Sequence, residues 1–352
     1  MAVSNTVSRT SFQIHDVINH AVRRCKKAPA SLDAEMFQTA TQNLYLLTSG
    51  LANQGFPLWC LEKVVLGPRL AQGQLTLPVG TVDVENANLR TVTIPTGTAA
   101  SSAGGTAANA FDQTFLNACT QTAPDGNISL AYAATTQINN VGVMSNTTQT
   151  YALVFEKSID SGATWTTVYT PNAQSYPAGQ WVHFDLDQQL STTTNFRIRE
   201  TGGATLDILQ LVFSNSPSDQ PIARLNKDDY FNLSNKTSQG RPLQYWLDRA
   251  RVQPVMNLWP VPDGNFYQVA IIRHRHIMDL GVNTNEVEVP QRWYDAIVWG
   301  LASSLAVELP DVPGEIMAYV DARYRRALLE AQTEERDNSP IKYGPNISIY
   351  TA

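Results

Sequence analysis

The sequence predicts an α+β multidomain protein: a four-helix bundle with a small antiparallel sheet, interrupted by an inserted all-β sandwich of jelly-roll-like type. Three observations lead there. Apolar residues recur with helical period near both ends of the chain, and they alternate with period two through most of its middle. The composition also switches to Thr, Ser, Asn and Gln after a run of small residues at 96–110. At 352 residues the chain is longer than a single core usually supports.

From the N-terminal side, Ile14, Val17, Ile18, Ala21, Val22 and Cys25 fall on one helical stripe. Arg23, Arg24, Lys26 and Lys27 crowd its last turn, where positive charge suits the helix dipole. Pro29 ends this helix. Ser31 is expected to cap a second one, whose stripe is Phe37, Ala40, Leu44, Leu47 and Leu51, with Gly50 and "NQG" as its stop. So short a link makes the two an antiparallel hairpin. From Phe56 onward, "PLWCLEKVVLG" and "GQLTLPVGTVDVENANLRTVTI" read as short strands broken by Gly and Pro.

The stretch "TGTAASSAGGTAANA" has too little apolar area to order itself and reads as a hinge. Beyond it, "ISLAYAA", "YALVFEKS", "TWTTVYT", "QWVHFDL", "NFRIRE" and "LDILQLVFS" are separated by turn signals at sandwich spacing. "SNSPSDQP" closes that unit. The segment 240–277 then reads as three antiparallel strands, with "VPDG" at the second turn. Trp293, Ala296, Ile297, Gly300, Leu301, Ser304 and Leu305 place one face of a third helix on a core. Ile316, Tyr319, Val320, Tyr324, Ala327, Leu328 and Ala331 do the same for a fourth. The domains are therefore 1–95 and 219–336 as two parts of one host, 96–218 as the insert, and 337–352 as an extended tail. Four exposed stripes from the two ends of the chain call for a bundle.

Three stretches carry a family likeness. They are "LWCLEKVVLGPRLAQGQLTLPVGTVDVENANLR", "NKTSQGRPLQYWLDRARVQPVMNLWPVPDGNFYQVAIIRHRH" and "VPQRWYDAIVWGLASSLAVEL". In order and spacing they resemble the head-to-tail adaptor (connector) proteins of short-tailed bacteriophages, of the tail tubular protein A or tail accessory factor type. The resemblance implies a structural protein of the virion neck, assembled in the host bacterial cytoplasm. Its copies would close into a ring of roughly twelve below the portal protein. The ring would extend the DNA channel, touch double-stranded DNA without sequence preference, and dock tail nozzle and tail fibre proteins. It implies no catalysis and no cofactor. In related adaptors the tail inserts between portal subunits, which makes Ile341, Tyr343, Ile347, Ile349 and Tyr350 the expected portal-binding residues. Each buried Ile or Tyr contributes about 1.5–3 kcal/mol, so one tail is marginal and a ring of tails gains avidity.

A second function class rests on the octapeptide "SIDSGATW", which satisfies the S-x-D-x-G-x-T-W pattern of the Asp box of propeller glycosidases. In that motif the Asp and Ser side chains bond backbone groups of a hairpin turn, Gly supplies an unusual φ and Trp packs beneath. A propeller needs several such boxes at blade spacing. With one box, Ser158, Asp160, Gly162, Thr164 and Trp165 read as a structural hairpin. The alternative to the adaptor is a carbohydrate-binding or glycoside-hydrolysing phage tail protein acting through the inserted sandwich. Hydrolysis would need two carboxylates flanking the scissile bond, and the spacing of Asp160, Asp185, Asp187, Glu200 and Asp207 defines no pair. Binding would need exposed aromatic rings, for which Trp165, Trp181, Tyr151 and Tyr169 are the candidates, although most should fill the sandwich core.

Other chemistry is disfavoured. Cys25, Cys60 and Cys119 are odd in number and far apart, with no C-x-x-C, so neither a disulfide framework nor a zinc site is expected. His274 and His276 share one strand face but lack a third ligand, since His15, His20 and His183 are distant. Arg273 and Arg275 are expected together on the opposite, solvated face. "GTAASSAGG" lacks the G-K-[ST] of a P-loop. The net charge of −6 gives no global reason to bind nucleic acid. "MAVSNTVSRT" has no signal-peptide pattern and no apolar run spans a bilayer, so a soluble protein without membrane contact is expected.

Overall fold

The computed structural model describes residues 12–53, 58–186, 191–251, 253–277, 281 and 284–334. The chain up to Leu61, together with the chain from Arg275, makes one compact unit, and Glu62–His274 makes a second. The expected portal-binding residues Ile341, Tyr343, Ile347, Ile349 and Tyr350 lie outside the described residues, as does Asp187.

The chain opens with helices α1 (Ile14–Arg24) and α2 (Ala34–Asn53), then strands β1 (Leu61–Leu66), β2 (Gln74–Thr76), β3 (Thr81–Thr93) and β4 (Thr98–Ser101). Next come β5 (Cys119–Thr120), β6 (Asn127–Ile138), β7 (Asn140–Ser145), β8 (Gln149–Tyr151), β9 (Leu153–Ser158), β10 (Thr166–Tyr169) and β11 (Gln174–Tyr176). The strands β12 (Trp181–Asp185), β13 (Ser191–Glu200), β14 (Asp207–Pro221) and β15 (Ala223–Arg224) precede the single-turn α3 (Lys227–Phe231). The chain continues with β16 (Gln244–Asp248), β17 (Val255–Trp259), β18 (Gln268–Arg275), α4 (Tyr294–Glu308) and α5 (Gly314–Glu334).

In the helical unit the α1 stripe forms as expected, with Ile14, Val17, Ile18, Ala21 and Val22 all buried. The cap of α2 differs from expectation. Residues 29–31 form a 3₁₀ turn, and the carboxylate of Asp33 accepts the Met36 N–H at 2.7 Å. Residues from both ends of the chain share one core, in which Leu44, Trp293, Leu301 and Val320 meet. It is not a four-helix bundle. In a bundle four amphipathic helices surround a common axis, whereas here α1, α2 and α5 each pack chiefly against α4. The reason is in α4 itself. Val298, Ala302 and Ala306 are buried as well as Ile297, Leu301 and Leu305, so apolar residues surround the helix and it sits at the centre. Cys25 donates to the Ala302 carbonyl at 3.3 Å, and burial pushes its thiol up to about 11, which makes it an inert packing residue.

The second unit is a stack of sheets. A seven-stranded sheet runs β1-β18-β3-β14-β7-β12, with β5 also on β14. A five-stranded sheet, β10-β9-β13-β6-β4, covers one part of it. The two form a β-sandwich whose core alternates along the strands, from Ile128 and Leu130 through Phe155, Phe196 and Ile198 to Val141, Val143 and Phe213. A four-stranded sheet, β15-β16-β17-β2, packs Tyr245, Leu247, Met256 and Leu258 on Val84, Leu89, Val269 and Ile271 of β3 and β18.

Three expectations change here. The third strand of the segment 240–277, β18, leaves the expected meander and joins the seven-stranded sheet. The boundary expected at 218 falls inside β14, which pairs with β7 through its first half and with β3 through its second. A register shift between Asn215 and Ser218 bends the strand between those roles. The insert and its flanking strands therefore share one sheet. The small-residue stretch is no hinge either: β4 pairs with β6, and Ala107 and Ala110 are buried. Its small residues permit close approach, since a Cβ on Gly97 would lie 2.4 Å from the Ala131 carbonyl oxygen.

Candidate functional site

The Asp-box octapeptide forms the turn between β9 and β10. Asp160 Oδ1 accepts the Ser158 hydroxyl at 2.6 Å and the Thr164 N–H at 2.9 Å, while Ser158 Oγ accepts the Gly162 N–H at 2.8 Å. Gly162 sits at φ +93°, a conformation that L side chains resist. These bonds favour the ionised carboxylate, with the Ser158 hydroxyl as the largest contribution, and hold Asp160 at about 2. Trp165 is half-buried, with the Arg197 guanidinium 4.0 Å over its ring. The octapeptide is a turn clamp.

The other carboxylates are also committed to the fold. Glu200, fully buried, accepts the Ala152, Gly202 and Ala204 N–H groups. Asp207 accepts the Thr120 hydroxyl at 2.7 Å, together with Asn146 and Thr147 side chains. Asp185 pairs with Lys63 and, at 2.8 Å, with Arg90. Of the four candidate aromatics, Tyr151 is fully buried and Trp181 nearly so, which leaves Trp165 half-buried and Tyr169 38% exposed.

The histidine and arginine expectations are corrected by β18. His274 is buried while His276 lies exposed beyond the strand end, so the two share no site. Among the described residues no group of three or more His, Cys, Asp and Glu could hold a metal ion. Arg273 does not face solvent. It is buried, donates to Glu62 at 2.6 Å, and reaches the Pro78 and Val79 carbonyls and the Thr81 hydroxyl. Arg275 is likewise taken up by Glu288.

What the structure assembles instead is a cleft of about 660 Å³ in the β unit, within the size range of small-ligand sites. One wall is β1, from Glu62 to Leu66, and the other is β12 with the loop and strand that precede it. These are the two edge strands of the seven-stranded sheet. The Lys63–Asp185 pair links them, and Arg90 holds Asp185 from behind while chelating Asp219 through Nε at 2.7 Å and Nη2 at 2.9 Å. Two glycines bring the walls together. A Cβ on Gly67 would stand 2.6 Å from His183 Nε2, and one on Gly142 would stand 2.7 Å from His183 Cε1.

The lining sorts into two kinds. Tyr169 presents its ring, backed by Phe155 and Phe184 at centroid distances of 6.1 and 6.4 Å. Beside it, Thr76, Gln174, Ser175 and Gln180 are exposed neutral hydrogen-bonding residues. His183 completes the floor, its ring 5.4 Å from Trp181 and its Nδ1 3.2 Å from Asn140 Oδ1. Burial, followed by the charge of Arg90, lowers its pKa to about 3. The folded chain therefore keeps a neutral imidazole at pH values where the unfolded chain binds a proton, near 6.5 and below. Stability contributed by this group is present above pH 6.5 and is lost as pH falls toward 3, by up to about 1.4 kcal/mol per pH unit. Urea unfolding between pH 7 and 5 should show a steeper loss for the natural chain than for His183→Gln. Parallel curves would mean that the imidazole is not held neutral.

Of the residues of this site, sequence reasoning singled out Tyr169, Trp181, His183, Asp185 and Arg273, and not as a group. Glu62, Lys63, Gln174 and Gln180 have no signal beyond lying in strands or polar turns.

No protein-family model and no curated protein matches the sequence. Solved structures do. A chitosan-binding module 1 derived from a chitosanase/glucanase of Paenibacillus sp. IK-5 is 20% identical with a TM-score of 0.29, over 35% of this chain and 97% of that one. A family 32 carbohydrate-binding module from C. perfringens NanJ, in complex with galactose, is 13% identical with a TM-score of 0.32, over 36% of this chain and 99% of that one. These likenesses are to carbohydrate-binding modules and not to a phage connector. The helices also form no four-helix bundle, and the insert shares a sheet with its flanks. The expectation of a portal-binding ring is therefore corrected and not carried forward.

Proposed function

We propose that this chain is a carbohydrate-binding protein that holds its ligand through the β-sandwich unit without cleaving it. The observation that carries the reading is the cleft between β1 and β12, with an exposed, rigidly backed Tyr169 beside neutral amides and hydroxyls. A sugar presents an apolar C–H face and a rim of hydroxyls that both donate and accept. An aromatic ring with adjacent Gln and Ser side chains meets both demands. Binding without hydrolysis is supported by the two carboxylates in the lining. A glycosidase acid must keep its proton, usually in an apolar pocket, whereas Glu62 is ion-paired to Arg273 and Asp185 to Arg90 and Lys63.

The test is a glycan panel, including galactose and chitosan oligomers, applied to the full chain and to Tyr169→Ala. Retained binding is expected for the natural chain, with a loss of roughly tenfold or more on removing the ring. Reducing ends should not accumulate over hours. Failure of every glycan at millimolar concentration, or undiminished affinity of the variant, would remove the reading.

A further inference from the structure

We infer that the cleft between β1 and β12 selects uncharged glycans, because each ionic side chain among the described residues that line it is already neutralised by another within the protein. This rests on the carbohydrate-binding reading above and specifies its ligand class.

Among the described residues, the charges in the lining are Glu62, Lys63, Asp185 and Arg273, two of each sign. Glu62 receives Nε and Nη2 of Arg273, at 3.0 and 2.6 Å. The remaining terminal nitrogen of Arg273 donates to Thr81 Oγ1 at 2.8 Å and to the Pro78 and Val79 carbonyls at 3.2 Å. Asp185 holds Lys63 on the cleft side and Arg90 on the inner side. Arg90 is in turn balanced by Asp219 at 2.7 Å. A uronate or sulfate entering the cleft would meet Lys63 and Arg273, each already ion-paired to a carboxylate, and a glucosamine ammonium would meet carboxylates already shared. Either must displace an existing partner and strip its own hydration, a poor exchange for a charged group. A neutral sugar asks for no exchange. Thr76, Gln174, Ser175 and Gln180 are exposed and supply both donors and acceptors. The arrangement also differs from a charged surface in range. With the local charges cancelled, binding should depend little on salt, since nothing long-ranged is left to screen.

The experiment measures affinity of the full chain for three oligosaccharide sets of matched length, one neutral, one of uronates and one of glucosamine, at 20 and 500 mM salt. The expected result is binding of neutral oligomers that changes less than about twofold between the two salt concentrations, with weaker binding of both charged sets. Lys63→Gln then provides a gain-of-function arm. Removing this half-exposed cation leaves one negative charge in excess, so glucosamine oligomers should gain roughly fivefold relative to neutral oligomers measured on the same variant, the attraction of one uncompensated charge at about 4 Å in water. Preferred binding of a charged set, abolished by Tyr169→Ala, would overturn the inference and leave the carbohydrate-binding reading intact. Absence of binding to all three sets would overturn both. An unchanged glucosamine affinity in Lys63→Gln would also count against it, since the charge balance would then not be what decides.

Discussion

Replacing Arg90 by Met is expected to lower the unfolding free energy of the β unit by about 3–5 kcal/mol, the usual cost of removing one partner from a buried ionic cluster. Arg90 is 2% exposed and joins Asp219 of β14 to Asp185 of β12. Without it Asp185 loses its buried cation while the half-exposed Lys63 stays, and Asp219 loses both of its contacts with the guanidinium. The loss comes from stranded carboxylates and not from a large worth of the pair itself. That distinction is testable. The triple variant Arg90→Met, Asp185→Asn, Asp219→Asn removes the charges together and should recover most of the stability, as apolar replacements of buried ion clusters do. Urea titration followed by tryptophan fluorescence reads both. A single variant as stable as the natural chain would mean that the network does not hold the walls of the cleft.

The second large effect is at Glu200. Its side chain is fully buried, with Oε1 accepting the Ala152 N–H at 3.0 Å and Oε2 accepting those of Gly202 and Ala204 at 2.8 and 3.0 Å. Hydrogen bonds to a charged group are each worth about 1.5–3 kcal/mol, and an unsatisfied buried donor costs about as much again as its lost bond. Glu200→Ala should therefore cost about 3–5 kcal/mol. Glu200→Gln is the informative comparison. Its amide nitrogen would face N–H groups where an acceptor is required, so it should be nearly as damaging as alanine despite its equal size. Thermal unfolding showing the glutamine variant within about 1 kcal/mol of the natural chain would mean that shape, not the acceptor set, matters there.

How much of this was readable in the chain depends on how local each feature is. The stripe of α1 and the alternation at the start of β6 are set by neighbours three, four or two residues away, and both formed as written, whereas β9 is buried on both faces from Leu153 to Glu156. The Asp-box turn is more local still. The helix α4 was legible but misread. Val298, Ala302 and Ala306 lie opposite the chosen stripe, and counting them makes a helix apolar on all sides, which belongs in a centre and not at the edge of a bundle. The small residues at 96–110 were read as flexible because composition does not distinguish a chain that cannot pack from one that packs too closely for larger side chains. The cleft was not legible. Glu62 and Asp185 approach it from strands far apart in sequence, and only the order of strands in the seven-stranded sheet brings its two edges to one place. A β14 that serves two partner strands in turn is invisible to a search for domain boundaries by composition.

A crystal structure of the full chain soaked or grown with the tightest-binding oligosaccharide tests the central claim most directly. The account predicts a sugar ring lying on Tyr169 between β1 and β12, with hydroxyls bonded to Gln174 or Gln180 and the Lys63–Asp185 pair intact. A sugar seated elsewhere, for example on Trp165 at the Asp-box turn with the cleft empty, would contradict it.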